Sequence, residues 1–145
     1  MYSVLKFIHS YWAYLTLAVL LIAIINAFRA RISKKNFQAT DLRISLFALI
    51  FSHIQLLVGL ALYFVSPWFS YWSDLGMGGV MKNSEARLYL VEHPTTNLIA
   101  LFLITLGWSL HKRQTEDSKK FSRIAIFYSL GLVLLLSRIP WKAWL

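Results

Sequence analysis

The sequence predicts an all-α fold, an integral membrane bundle of four helices that run alternately up and down. Of the 145 residues, 58% are hydrophobic and only 14% are charged, whereas soluble domains carry about 25% charged residues. The apolar residues form four long stretches, at about residues 7–28, 44–66, 88–110 and 123–140. Each stretch approaches the roughly 20 residues that a helix needs to cross a bilayer. We therefore expect one transmembrane domain over residues 1–145.

The first apolar stretch has the features of a retained membrane span. Residues 7–28 carry no charged side chain, and this run is longer than the ~7–15-residue apolar core of a signal peptide. Arg29 and Arg31 follow the stretch directly, where a signal peptide would carry a cleavage site between small residues. We expect this helix to stay in the membrane.

The second stretch begins after Arg43 and is expected to end near Ser66. Thr40 and Asp41 are suited to cap its start, and Pro67 disfavours helical geometry in the residue before it. The connection that follows is aromatic at first, which suits the level of the lipid headgroups. It then contains the run GMGG at residues 76–79. This run is too rich in glycine for a stable helix, so we expect it to be irregular.

The third stretch has a clear start signal, and the fourth stretch is short. Asn83 or Ser84 can cap the third helix at its first turn. The fourth stretch has few uncharged residues for a bilayer span. It crosses the membrane only if Arg123 and Arg138 extend their side chains towards the two interfaces.

The distribution of basic residues predicts the orientation in the membrane. The chain has a net charge of +9 with 15 Lys and Arg residues, and ten of them flank two connections, around residues 29–43 and 112–123. Because cytoplasmic loops of membrane proteins are enriched in Lys and Arg, we place these connections inside the cell and both termini in the periplasm. The expected location is the inner membrane of a bacterium, with the lipid bilayer rather than nucleic acid as the partner of the basic residues. The chain contains no Cys, which excludes disulfides, thiolate metal ligands and cysteine nucleophiles.

Two of the four histidines are expected at the same depth in the membrane. His9 and His93 each lie about 30 Å along their helices from the inner basic boundaries at Arg29 and Lys112. His53 lies only about 15 Å from the inner edge, although counting from the outer turns brings it within ~6 Å of the level of His93.

Histidines within a membrane span are candidates for function, because an unpaired polar group is costly in hydrocarbon. Two neutral imidazoles on different helices can bind a haem iron from its two sides. His9 and His93 are the favoured pair, His53 and His93 the alternative pair, and Arg138 is placed to contact a haem propionate. His111 is interpreted as a solvated residue at the inner interface, since it precedes two basic residues.

Other interpretations remain open at this point. His53, Gln55 and Glu92 could line a site for quinone or for proton transfer. The histidines His9, His53 and His93, together with Glu92, could bind copper, zinc or iron, provided that all of them converge. The chain could also be a cofactor-free structural subunit of a larger membrane complex, since small residues and aromatic ends suit helix packing equally well.

Several segments resemble a family of short four-helix membrane proteins from Bacteroidetes-type bacteria, loosely labelled cytochrome b-like. The segments cover nearly the whole chain and read HSYWAYL, HIQLLVGLALYFVSP, EHPTTNLIALFLITLG, KKFSRIAIFY and LSRIPW. The resemblance implies haem b as cofactor, with His9, His53 and His93 at the histidine positions of the family. Ala13 stands here where relatives carry an arginine, and Trp108 stands where some carry a histidine.

The residues and the resemblance together predict a membrane b-type haem protein with its haem near the outer face. Its redox partners would be quinone or other subunits of a respiratory complex. Such a protein is not expected to be an enzyme by itself, since the redox chemistry belongs to the cofactor and the larger assembly.

Overall fold

The computed structural model describes residues 1–144, and these residues form helices and short connections without any β-strand. The helices, in chain order, are α1 (Tyr2–Ile32), α2 (Ala39–Val65), α3 (Tyr71–Lys82), α4 (Ser84–Arg87), α5 (His93–Lys112), α6 (Asp117–Ser137) and α7 (Trp141–Trp144). A 3₁₀ turn, Pro67–Ser70, precedes α3, and a π turn, Leu88–Glu92, joins α4 to α5.

Four helical segments are long and apolar enough to cross a membrane, as the sequence predicts. They are α1, α2, the continuous segment Ser84–Lys112 and α6. The first and third extend beyond the predicted spans at both ends, whereas α2 begins five residues earlier than predicted and ends at Val65, one residue short of the prediction. The fourth was predicted to reach residue 140 but ends at Ser137. Pro140 explains the early end, because proline disfavours helical geometry in Ile139 before it.

The expectation of an irregular glycine run is wrong. Residues 76–79 lie within α3, whose helical geometry is interrupted only at Gly76, with φ 68° and ψ 174°. Glycine adopts a positive φ without the steric cost that a Cβ atom would impose. The glycine run therefore bends a helical segment at a single residue.

The predicted cap of the third span is confirmed, and the cap of the second span differs from expectation. Asn83 Oδ1 accepts hydrogen bonds at 3.1 Å from the backbone N–H groups of Glu85 and Ala86. For α2, the N-cap is Gln38, and the Asp41 carboxylate accepts from the Gln38 backbone N–H at 2.8 Å. Asp41 therefore acts one turn inside the helix, in a reciprocal capping arrangement.

The membrane-length helices pack in pairs around one core. Helix α1 lies against α2 and α6, and α5 lies against α6 and α2. Gly107 on α5 packs against Phe127 on α6, and Gly131 on α6 packs against Ile104 on α5. Small residues at these positions let the two backbones approach closely, which favours helix association in lipid.

Polar contacts join the helices at the basic end of the bundle and nearer its middle. At the end that carries the basic connections, the buried Asp41 accepts from Asn26 Nδ2 at 2.9 Å and pairs with Lys35 Nζ at 3.2 Å. At mid-height, the hydroxyl of the buried Tyr128 on α6 donates to the Ser45 carbonyl on α2 at 2.8 Å. These bonds fix the register of the helices around the core.

The outer surface of the bundle is apolar. Each of the four membrane-length segments presents a large hydrophobic side chain with an exposed fraction of 61–66%. These side chains are Phe7, Leu57, Phe102 and Val133. Such a surface is suited to lipid and would be costly in water.

Candidate functional site

His9 and His93 lie together in the structure. Their ring centroids are 6.2 Å apart, and the two ring planes are inclined by 80°. His9 lies in the second turn of α1 and His93 is the first residue of α5. Each side chain is partly shielded from the surface. The structure thus brings these two histidines together at one level of the bundle.

The direction of His93 is set by the π turn that precedes it. The His93 N–H bonds to the Leu88 carbonyl, five residues back, instead of the four-residue spacing of an α-helix. Pro94 follows and has no N–H, so the Leu90 carbonyl lacks its regular helical donor. Single π turns of this kind occur frequently at functional sites, since they rotate the following side chains.

A side chain from α2 satisfies the Leu90 carbonyl. The Tyr63 hydroxyl donates to the Leu90 oxygen at 3.2 Å. The same hydroxyl accepts from Trp72 Nε1 at 2.9 Å. Helix α2, helix α3 and the start of α5 are thus joined by one short hydrogen-bond chain directly beside His93.

A backbone carbonyl of the last membrane helix holds the His93 ring. His93 Nδ1 lies 2.8 Å from the Arg138 carbonyl oxygen, an acceptor that requires the proton on Nδ1. Nε2 is then the nitrogen with a free lone pair, and it accepts from Asn97 Nδ2 at 3.1 Å. A histidine whose second nitrogen donates to a carbonyl is the usual arrangement for a metal-binding imidazole.

His9 is held from α2 by a glutamine and a glycine. Gln55 Nε2 donates to the His9 carbonyl at 2.9 Å and lies 3.3 Å from His9 Nδ1. The His9 ring lies over Gly59, where a Cβ atom would come within 3.0 Å of His9 Cε1. The absence of a side chain at Gly59 therefore creates the space that the ring occupies.

Two amide oxygens beside the histidines have no hydrogen-bond partner. Three buried side-chain polar atoms of the described residues lack a partner, and two of them are Gln55 Oε1 and Asn97 Oδ1. The third is Arg123 Nε, towards the other end of the molecule. Buried acceptors without partners are rare in folded proteins and call for an explanation. Two of the three such atoms therefore lie beside the histidine pair.

A cavity of 260 Å³ opens beside the two rings, between α1, α2, α5 and the chain after α6. This size is near the lower end of small-molecule pockets, which are about 300–1,000 Å³. The polar lining includes His9, Gln55, His93 and Asn97, and most of the remaining lining is apolar. Apolar walls with a few convergent polar groups are the usual composition of a cofactor pocket.

Glu92 lies beside the cluster between two arginines. Its carboxylate contacts Arg87 Nε at 2.8 Å and Arg138 Nε at 3.6 Å. The Arg138 guanidinium was predicted to meet a haem propionate, but in this structure it faces a carboxylate of the chain itself. Glu92 therefore anchors two arginines at the edge of the site.

His53 lies apart from this cluster. It is exposed on the outer face of α2, with Nδ1 2.8 Å from the Leu49 carbonyl and Nε2 3.4 Å from Thr105 Oγ1. It does not line the cavity. Within residues 1–144, no three His, Cys, Asp or Glu side chains are placed to hold one metal ion. The alternative pair and the three-histidine site thus find no geometric support.

The interpretation of His111 as a solvated residue is wrong. Its side chain is only 2% exposed, packed between Phe37 and Trp108, and its Nδ1 is hydrogen-bonded to the Trp108 carbonyl. The two basic residues after His111 did not indicate this burial, because consecutive residues of a helix point in different directions.

Sequence reasoning missed Asn97 and Tyr63 as parts of the site. Asn97 follows His93 by one helical turn, and residues four apart on a helix are neighbours. That spacing could have identified it. Tyr63 could not be found in this way, since its contact with Leu90 depends on how α2 packs against the π turn.

Two neutral imidazoles from different helices, with 6.2 Å between their ring centroids, are a donor set that could hold a haem iron. The bond from His93 Nδ1 to the Arg138 carbonyl and the apolar cavity walls are compatible with this use.

No family model, curated protein or solved structure matches this chain. The resemblance to cytochrome b-like membrane proteins therefore stays a prediction, and the functional argument is based on the geometry of the site.

Proposed function

We propose that this chain is a b-type haem protein of a bacterial inner membrane, with His9 and His93 as the axial ligands. The supporting observation is the approach of two imidazoles from different helices to 6.2 Å between centroids. We further infer an up-down bundle with both termini in the periplasm. In that orientation the histidine pair lies near the outer face, and the basic connections face the cytoplasm.

In this proposal Arg138, Gln55 and Asn97 have distinct roles around the two histidine rings. The Arg138 carbonyl accepts from His93 Nδ1 at 2.8 Å, which leaves Nε2 as the nitrogen that could bind a metal. Gln55 fixes the His9 backbone at 2.9 Å. Asn97 Nδ2, which now lies 3.1 Å from His93 Nε2, would have to give up this contact if that nitrogen bound a metal. When bound, haem b supplies reversible one-electron transfer, and the protein sets its potential through ligands and surroundings.

The edge of the site carries the charges that suit anionic haem propionates. Arg87 and Arg138 both contact Glu92, so the three groups together carry one net positive charge. A propionate would bind Arg138 in exchange for, or alongside, the contact with Glu92. Charge-assisted contacts of this type are the strong ones in proteins.

The proposed electron partners are quinone and other subunits of a respiratory complex. The exposed apolar surface of the bundle gives lipid-soluble quinone access from the bilayer. The chain is proposed as an electron carrier and not as an enzyme by itself. Its substrates would be oxidised or reduced at other sites of an assembly.

The test is the visible spectrum of the purified protein and of single histidine variants. We expect sharp reduced bands of low-spin haem b in the parent. His93→Ala and His9→Ala should each lose these bands, because each removes one axial ligand. His53→Ala is the matched control, since His53 lies outside the cavity, and it should keep the parent spectrum.

Other outcomes would assign the chain differently. A loss of haem in His53→Ala with retention in His9→Ala would transfer the ligand pair to α2 and α5. Absence of haem in the parent, after expression with ample haem, would contradict the proposal and favour the structural-subunit interpretation. Elemental analysis of the same sample would then show whether a metal ion is held without a macrocycle.

A further inference from the structure

A second cavity lies at the opposite end of the bundle, where the connection between α1 and α2 meets α5 and α6. Its volume is 330 Å³. The lining residues are Phe37, Gln38, Ala39, Leu42, His111, Lys112 and Lys120. This basic-end pocket is separate from the histidine pair, and nothing proposed for the haem site depends on it.

The two lysines of the basic-end pocket have aromatic partners and no carboxylate partner. Lys112 Nζ lies 5.9 Å from the Trp108 ring centroid, and Lys120 Nζ lies 5.3 Å from the Phe37 ring centroid. Neither lysine forms an ion pair with another side chain of residues 1–144. Their charges are therefore available to an anion, and the cation–π contacts hold them at the pocket.

Neighbouring lysines of the same connections differ in this respect. Lys35 pairs with Asp41 at 3.2 Å, and Lys119 pairs with Glu116 at 3.8 Å. The Asp41 carboxylate also accepts from Asn26 and from the Gln38 backbone. Because these acidic groups already have partners, they do not neutralise the pocket lysines.

Two further features of the basic-end pocket suit a ligand that carries both a phosphate group and a hydroxyl group. Ala39 is the first residue of α2, and its own backbone N–H takes no part in the capping bonds of Gln38 and Asp41, so it is a donor for an anion. His111 is buried at the pocket wall with Nδ1 bonded to the Trp108 carbonyl. Its Nε2 can accept a hydrogen bond from a headgroup hydroxyl.

We propose that the basic-end pocket binds the phosphodiester headgroup of an anionic phospholipid. Lys112 and Lys120 would contact the phosphate, and the acyl chains would lie along the apolar surface of the bundle. Basic pockets between membrane helices are known to hold such headgroups. Free inorganic phosphate shares the chemistry but lacks the acyl chains, so the test must separate the two.

The experiment compares the full-length protein with Lys112→Gln/Lys120→Gln, using native mass spectrometry and thermal unfolding in detergent. Phosphatidylglycerol should bind the parent and raise its Tm, whereas phosphatidylcholine should not. At about 1 kcal/mol for each lysine near a headgroup, the double variant should bind phosphatidylglycerol roughly thirtyfold more weakly. Lys35→Gln/Lys119→Gln removes the same charge from the same connections and should keep most of the affinity.

Three results would overturn the proposal. Equal weakening in both double variants would show a nonspecific effect of charge. An equal increase of Tm with inorganic phosphate would assign the pocket to a soluble anion. Unchanged phosphatidylglycerol binding in Lys112→Gln/Lys120→Gln would place the lipid elsewhere. Circular dichroism of each variant shows whether the helices are intact before binding is compared.

Discussion

At the scale of single residues, the contact between Gly59 and His9 links helix packing to the candidate ligand. Helix α1 can approach α2 at this point because residue 59 has no side chain. Ser52 and Ser45, one and two heptads earlier, are buried on the same stripe of α2. The recurrence of small residues every seven positions thus corresponds to the face of α2 that packs against its neighbours.

Replacing Gly59 tests this link. Gly59→Leu should push the His9 ring from its place, because even a Cβ atom would lie 3.0 Å from His9 Cε1. We expect a loss of unfolding free energy of about 1–3 kcal/mol, typical of overpacking, and loss of haem in the same sample. Thermal unfolding in detergent and the visible spectrum measure the two effects.

Gly78→Leu is the matched control for this prediction. A Cβ atom at Gly78 would meet nothing within 4 Å, so the same substitution adds bulk without a collision. Parent-like stability in Gly59→Leu would mean that the stripe does not carry the contact between α1 and α2. Destabilisation with full haem retention would separate packing from ligand position.

The histidines show what the sequence could and could not predict at this scale. Counting residues from the basic boundaries placed His9 and His93 at one level, because rise per residue in a helix is fixed. The same counting could not tell that His53 faces outward or that His111 is buried. Those properties depend on how each helix is rotated about its own axis. The sequence neighbours of both histidines are partly apolar and partly polar, so they did not determine that rotation.

At the scale of elements, the π turn before α5 is the feature that orients His93. The Asn83 cap and the helix end near Ser66 followed from local sequence rules. The π turn did not, although Pro94 marked its position. A helix can accommodate a missing N–H by a kink, a shifted hydrogen-bond register or a side-chain donor. Here the register shifts at the π turn, and the Tyr63 hydroxyl from another helix supplies a donor.

The hydrogen bond from Tyr63 gives a prediction for this element. Tyr63→Phe removes the donor to the Leu90 carbonyl and should lower the free energy of unfolding by about 1–3 kcal/mol, the cost of an unsatisfied buried polar group. Tyr71→Phe is the control, since Tyr71 packs against the same cluster of buried residues as Tyr63 but takes no part in the hydrogen bonds that join Tyr63 to Leu90 and Trp72. Thermal or denaturant unfolding compares the two variants.

A double-variant cycle with Pro94→Ala shows whether the two residues act on the same carbonyl. Alanine restores an N–H at position 94, which can donate to Leu90 in a regular helix. Tyr63→Phe should then cost less in the Pro94→Ala background than in the parent. Equal costs in both backgrounds would mean that Tyr63 stabilises the fold by packing and not through this carbonyl.

At the scale of the whole molecule, the two ends of the bundle differ in charge and in chemistry. One end combines the connections that follow α1 and α5 with the buried Asp41 and the basic-end pocket. The other end carries the histidine pair, the π turn and the aromatic α3 segment. The sequence predicted this division from the Lys and Arg distribution, because charge placement reflects the membrane and not the details of side-chain packing. Which residues meet within each end required the structure.

The orientation of these two ends across the membrane is the last prediction, and the absence of Cys makes it directly measurable. Single cysteines can be placed at four exposed positions: Ser3, Ser33, Gly78 and Thr115. In intact spheroplasts, an impermeant maleimide should label the cysteines at positions 3 and 78 and spare those at 33 and 115. Detergent permeabilisation should then allow all four to react, which controls for accessibility. The reverse pattern would place the histidine pair near the cytoplasmic face, and with it any electron transfer. Labelling of positions 3 and 33 from the same side would mean that α1 does not cross the bilayer.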